Sequence, residues 1–237
     1  MTLQLQDVSF SMHNKNILQH ISGRFIKGKI TTLVGPSGAG KTTLLKLCNG
    51  LISPTAGTIM LNNKALTAIE PTVLRREVGM ALQAAPMITG TVFDNLQLPR
   101  KLAGQQLTKD EAAASLASVG LTTDLLDQQA DELSGGQRQR VSIARTLINK
   151  SSVLLLDEIT SALDRIAVAE IEELIVELNK AYGVTIIWIT HNLQQAISLS
   201  HEVWVMIDGE LVQTGAPTIL TTPTNERVRQ FVEGGLA

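Results

Sequence analysis

The chain has 237 residues, 44% hydrophobic and 18% charged, enough for one large core or two small ones. A formal net charge of −2 leaves no electrostatic footprint for nucleic acid, so no nucleic-acid partner is expected, and it gives no support to binding an anionic bilayer. The single cysteine, Cys48, excludes a disulfide framework and fits a reducing compartment.

From the N-terminus, Leu3, Leu5 and Val8 alternate with polar residues, the period of edge or antiparallel strands. The polar stretch from Gln4 to Asp7 gives no signal peptide, and no apolar run reaches bilayer-spanning length, so any membrane role calls for a spanning partner. Gly28-Lys29 turns the chain into Ile30-Thr31-Thr32-Leu33-Val34, expected as a buried strand. Gly35-Pro36-Ser37-Gly38-Ala39-Gly40-Lys41-Thr42 then fits G-x-x-x-x-G-K-[ST] without a mismatch, and Thr43 to Leu47 reads as the first turns of a helix. Strand, glycine loop and helix are the context a phosphate-binding loop needs. Glycines let the backbone close around phosphate oxygens, and successive N–H groups at the positive helix end face the anion. Lys41 is expected to reach the β- and γ-phosphates and Thr42 to offer its hydroxyl to Mg²⁺. A plain glycine-rich turn is the competing account, and the flanking elements make it a poor one. Cys48 reads as a small buried residue.

Leu51 to Gly57 is a break, followed by a short strand at Thr58 to Leu61 and a hairpin turn at Asn62-Asn63. A helical turn is expected at Leu74 to Val78 and a strand at Val78 to Leu82. From about 84 to 149 helical stretches dominate; Thr108-Lys109-Asp110-Glu111 is a capping box before an Ala-rich helix, and Arg138 to Leu147 is another helix. Val153 to Leu156 and Val184 to Thr190 are continuous apolar runs, as in strands of a parallel sheet covered on both faces. Ala167 to Tyr182 between them has an amphipathic helical pattern. Residues after Gly215 form a short helical tail broken at Pro217 and Pro223, with no separate regulatory domain expected. The pattern is an α/β core, residues 1–237 as one domain, with a helical subdomain at about 84–149. Such sheets bind ligands at the carboxyl ends of their strands. The phosphate loop, Asp157-Glu158 and His191 all fall at such ends.

Two acids closing a buried strand imply a cationic or polar ligand beside them. Asp157 is placed to hold Mg²⁺ and Glu158 to orient or deprotonate an attacking water. Leu133-Ser134-Gly135-Gly136-Gln137 leads into a helix and forms a second anion site. One hydrolytic strand and two phosphate-binding loops are reconciled by two-fold pairing, in which the second loop serves a partner subunit's nucleotide.

With these motifs in order, the sequence resembles the ATPase subunit of an ATP-binding cassette (ABC) transporter along nearly its whole length, with a P-loop NTPase fold: a RecA-like core, an antiparallel β subdomain and a helical insertion. The resemblance rests on Walker A at Gly35–Thr42, Gln83 in the Q-loop position, the signature Leu133–Gln137 and Walker B at Val153–Asp157. Glu158, the D-loop Ser161-Ala162-Leu163-Asp164 and His191 in the switch position complete it. It implies ATP and Mg²⁺ as ligands, with Thr42, Gln83 and Asp157 around the metal and Glu158, His191 and Gln83 in catalysis. Gly35, Pro36, Ser37, Gly38, Ala39, Gly40, Lys41, Thr42 and Thr43 would hold the nucleotide. Ser134, Gly135, Gly136 and Gln137 would act in trans, and Asp164 across the dimer. It further implies a homodimer closing on ATP, a multi-span permease docked near 84–102, and a peripheral position on the cytoplasmic face of the cell membrane.

Two positions depart from the family pattern. Met12 stands about where an aromatic residue usually stacks on adenine, with Phe10 a weaker substitute; Ile159 follows the glutamate where proline is usual. Asp157 to Asp164, Arg75 to Met80 and Gly90 to Leu96 are similar to the ATPase of a bacterial iron-export system and its plant relatives linked to aluminium tolerance. That similarity implies export of iron or another metal. The alternative is the ATPase of an importer for phosphate, amino acids or a similar solute. A translation or DNA-repair cassette ATPase is disfavoured by the single cassette without a basic stripe.

Overall fold

The structure, a computed structural model, describes residues 3–234. Strands β1 (Leu3–Met12) and β2 (Lys15–Phe25) pair antiparallel through a turn in which His13 and Asn14 both have positive φ, at 49° and 59°. That geometry matches the twist of a tight hairpin. β4 (Ala56–Leu61) joins the free edge of β1, and the expected Asn62-Asn63 turn, with φ of 52° and 63°, leads into β5 (Lys64–Ala65). The order of this four-stranded sheet is β2-β1-β4-β5.

A second sheet carries the chemistry. Its strands are β3 (Ile30–Val34), β6 (Val78–Ala81), β7 (Val153–Asp157), β8 (Thr185–Ile189), β9 (Glu202–Ile207) and β10 (Glu210–Gly215), in the order β10-β9-β3-β8-β7-β6. All neighbours are parallel except β9 and β10. β3, β7 and β8 are buried at every residue, as their unbroken apolar runs require. Alternate residues serve opposite cores. Val153, Leu155, Ile187 and Ile189 face α1 (Lys41–Cys48) and the antiparallel sheet, and Cys48 is fully buried there. Leu154, Leu156, Ile186 and Trp188 face the other core, built from α5 (Gly135–Leu147), α6 (Arg165–Tyr182) and the helices before them.

The two sheets meet where Trp204 of β9 stacks on Phe25 of β2, with ring centroids 4.2 Å apart. Gly23 makes room for this ring, since a Cβ there would sit 2.6 Å from Trp204 Cη2. Both the indole and the surrounding backbone are locked in the core, so the clash cannot be relieved by a flexible end. Gly23→Ala is therefore expected to destabilise the fold by about 1–3 kcal/mol, read as a lower urea midpoint with unchanged slope.

Between β6 and β7 run α3 (Val92–Leu102) and α4 (Lys109–Ala117), a 3₁₀ turn at Thr123–Asp127 and α5. The expected capping box at Thr108 and Glu111 is formed in both directions, and Thr91 and Asp94 form another. Several boundaries differ from the sequence reading. α5 begins at Gly135 and not Arg138, because Ser134 caps it by accepting from Gln137 N while Gln137 Oε1 accepts from Ser134 N. α6 begins at Arg165, two residues before Ala167, because Asp164 accepts from the amides of Ile166 and Ala167. α2 (Pro71–Glu77) is longer than the turn expected at Leu74, since Glu70 caps it and Pro71 starts it, and β6 ends at Ala81, short of Leu82. α7 (Leu193–Leu199) follows β8, and the tail past Gly215 holds a 3₁₀ turn at Pro217–Leu220 and α8 (Glu226–Val232). Leu220 and Val228 pack with Val34, Val203 and Val205 in a third cluster. Among the described residues no helix is long and apolar enough to cross a membrane.

Candidate functional site

The carboxyl ends of β3, β7 and β8 deliver the phosphate loop, Asp157-Glu158 and Thr190-His191 to one edge of the sheet. The loop's glycines have separate physical reasons. A Cβ on Gly35 (φ 147°) would fall 1.9 Å from the Met206 carbonyl oxygen, and one on Gly40 (φ 91°) would fall 2.6 Å from Leu18 Cδ2. Gly38 (φ 80°) has nothing within 4 Å of such a Cβ, so its glycine serves the left-handed backbone and leaves the concave side open. α1 starts directly at Lys41 with Gly40 as its cap and no side chain on its first amides. Those N–H groups are the orphan donors of a helix start, carrying its positive dipole.

Lys41 is 5% exposed, and its Nζ donates to the carbonyls of Gly35 (2.7 Å) and Pro36 (2.8 Å). Burial lowers its pKa, opposed by the nearby carboxylates of Glu158 and Asp157. Thr42 Oγ1 donates to Asp157 Oδ1 at 3.0 Å. Burial raises the Asp157 pKa; the Thr42 bond works against that, and the neighbouring Glu158 charge adds to it. Glu158 leaves the strand at φ 50°, a left-handed conformation uncommon for glutamate, with its amide donating to the Ile189 carbonyl at 3.2 Å. Its Oε1 lies 2.6 Å from His191 Nε2. Ile159 is 1% exposed and packs in the core, so the position after the glutamate is anchored by burial.

Ser37 to Thr43, Glu158 and His191 line one cleft of about 600 Å³. Lys15, Asn16, Ile17, Asp208 and Gly209 complete it, and these the sequence reading missed. They lie on β2 and on the β9–β10 turn, elements brought beside the loop by topology alone. The Asp208-Gly209 pair is itself a legible turn signal. Met12 does not line the cleft: it is 51% exposed at the end of β1, opposite Lys15. Phe10 packs partly against the core. Gln83 also lies outside the cleft lining; its Nε2 donates to Ser161 Oγ (2.9 Å), which in turn donates to the Glu158 carbonyl (2.9 Å). Gln83 is thereby linked to the backbone of the acidic residue through one hydroxyl.

Ser134 to Gln137 lie elsewhere. With Ala162, Leu163 and Asp164 they line a separate cleft of about 560 Å³ that shares no lining residue with the first. Gly136 packs closely there, since a Cβ would sit 3.0 Å from Ala167 Cβ, a tight contact. Arg140 pairs with Glu170 at the wall of this cleft.

The first cleft fits a polyphosphate with a divalent cation. Its amides and Lys41 supply donors to anionic oxygens, and the adjacent Thr42 hydroxyl and Asp157 carboxylate are oxygen ligands of the kind Mg²⁺ takes together with substrate phosphates. Among the described residues no group of three or more His, Cys, Asp or Glu could hold a metal alone. Bound Mg²⁺ would neutralise charge on the phosphates, and Glu158 with His191 stands beside it to act on water.

Comparison with known proteins agrees with this chemistry. A family model described as "ABC transporter" matches residues 18–161. The chain is 44% identical over 221 residues to YjkB of Bacillus subtilis (strain 168), provisionally named an ABC transporter ATP-binding protein, covering 93% of this chain and 88% of that one. It is 40% identical over 224 residues to the methionine import ATP-binding protein MetN of Bradyrhizobium diazoefficiens, covering 92% of this chain but 64% of MetN. Among solved structures, the dimeric post-hydrolysis state of the ATP-binding cassette MJ0796, bound to ADP and Pi, superposes with a TM-score of 0.80 at 27% identity, over 91% of this chain and 98% of that one.

Proposed function

This chain belongs to the ABC transporter family as an ATP-hydrolysing, ATP-binding subunit, and from that premise we propose that two copies close around ATP to drive a separate multi-span membrane permease. One observation carries the pairing: the phosphate cleft and the Ser134–Gln137 cleft share no residue within a chain. A second copy, turned by a two-fold axis, brings each signature loop to the other's phosphate cleft. The dimeric MJ0796 cassette, with which this fold superposes, supports that arrangement.

In this reading Gly35 to Thr43 hold the triphosphate, Thr42 and Asp157 hold Mg²⁺, and Glu158 takes a proton from the attacking water while His191 steadies its carboxylate. Gln83 senses occupancy through Ser161 and passes it to the helical subdomain at 84–149, whose start near 84–102 docks on the permease. Asp164 speaks across the dimer interface. In this reading the permease holds the chain peripherally on the cytoplasmic face of the membrane, as in the family; none of its described helices is long and apolar enough to cross a bilayer. Met12, exposed and outside the cleft, contributes to the adenine only if the hairpin moves toward the base.

For the transported solute, metal export rests on the run Asp157 to Asp164, and import rests on the 40% identity to a methionine-import ATPase. The test is mild crosslinking in native membranes followed by identification of the captured partners. A multi-span permease alone favours export, and a permease with a solute-binding protein favours import. Recovery only with ribosomes or DNA would overturn the transport role while leaving the ATPase chemistry standing.

A further inference from the structure

The amino-terminal ends of β7 and β8 border a cavity of about 660 Å³ that has no part in the nucleotide chemistry. Ser151, Ser152, Val184 and Thr185 form its floor; α4, the end of α5 and Arg100 of α3 form its sides. Five-residue strands, rising about 3.3 Å per residue, separate it from Asp157 and His191 at the opposite sheet edge. It shares no lining residue with either cleft described above. Its volume is that of a small-ligand site.

The walls and the rim differ in character. Leu107, Ile148 and Val184, nearly fully buried, line the cavity together with Ala114 and Leu147, and the exposed Tyr182 also lines it. The hydroxyls of Ser115, Ser118 and Ser151 are already spent on the carbonyls of Ala144, Ser115 and Arg76. The charged lining comprises Lys27, Arg100 and Lys150 against one acid, Glu111, an excess of two positive charges. One carboxylate oxygen of Glu111 is tied into the capping box, since its Oε2 accepts from the Thr108 amide and hydroxyl, and the charges of Arg100 and Lys150 act on it as well. Arg100 gives one terminal nitrogen to Gln105 Oε1, while its Nε is buried without a partner. That nitrogen is shut off from the cavity by the protein itself, so the charge offered to an anion is that of the Arg100, Lys27 and Lys150 heads on the lining, offset in part by Glu111.

From these features we infer that this cavity binds an anionic amphiphile, an acyl chain with a carboxylate or phosphate head. The chain lies along Leu107, Ala114 and Ile148, and the head sits at Arg100 and Lys150. Because the site joins α4 to the base of the sheet, an occupant ties the helical insertion to the α/β core.

The probe is dodecanoate below its micelle concentration, titrated calorimetrically against the full chain, with dodecanol as neutral control and phosphatidylglycerol vesicles as a lipid source. Dodecanoate is expected to bind one-to-one, at least about tenfold more tightly than dodecanol. Ala114→Trp, which fills the cavity from an exposed helix position, and the double variant Arg100→Gln/Lys150→Gln are each expected to weaken it about tenfold or more. The double variant keeps the test valid should the tryptophan disturb folding. Vesicle binding lost in both variants identifies a membrane lipid as the source, and monomer binding alone identifies a free acyl anion. Absence of binding to both probes, equal affinity for dodecanol, or binding indifferent to both variants overturns the proposal.

Discussion

Glu158→Gln is expected to lower kcat for ATP hydrolysis by about 10²–10⁴-fold, the usual span for loss of a positioned general base, with nucleotide affinity preserved. The substitution keeps shape and hydrogen bonding but removes the basic oxygen. Its side chain meets His191 Nε2 at 2.6 Å, and its backbone is held at φ 50° between the Ile189 carbonyl and the buried Ile159. The local fold therefore has little reason to move. With hydrolysis blocked and binding intact, ATP should accumulate in the closed pair, seen as a shift to dimer on size-exclusion chromatography that ADP does not produce. Wild-type turnover in the variant would remove Glu158 from the base role. Loss of nucleotide binding as well would mean that the glutamate organises the cleft instead.

The residues that sequence reading found most easily are those whose chemistry is local. A glycine loop between a β-branched strand and a helix announces itself because φ values near 80–150° and uncapped amides demand those residue types in that order. Asp157-Glu158 stands out because two acids end a wholly buried strand. What stayed hidden was assembled by tertiary contact. Lys15, Asn16 and Ile17 reach the cleft only because β2 crosses behind Gly40, where the Ile17 carbonyl would lie 2.9 Å from a Cβ. β9 and β10 went unread although Val203 to Ile207 is apolar and Asp208-Gly209 turns at φ 52° and 79°. The period of two is masked in β9 because its five residues from Val203 are buried on both faces. Met12, expected beside the base, lies outside the cleft lining with its side chain half in solvent at the end of the β1–β2 hairpin.

Lys41→Met should separate binding from stability more sharply than any other single change. The ammonium is buried, its pKa pulled down by desolvation, and in the free protein it donates to two loop carbonyls. An amine so placed contributes little net to the fold, since its hydrogen bonds offset a desolvation cost of similar size. Methionine keeps the stem and its packing, so the melting temperature of the nucleotide-free protein should change by only a few degrees. Phosphate binding is different, because a charge-assisted bond to an anionic oxygen is worth about 1.5–3 kcal/mol and nothing in methionine replaces it. A loss of about 2.7 kcal/mol raises Kd roughly 100-fold. ATP at 100 times the wild-type Kd stabilises the wild type by about 2.7 kcal/mol but the variant, then near its own Kd, by only about 0.4 kcal/mol. Thermal unfolding with and without ATP reads both quantities in one experiment. A variant that melts early without nucleotide yet keeps the full ATP-induced shift would make Lys41 a structural residue and move phosphate recognition onto the backbone amides alone.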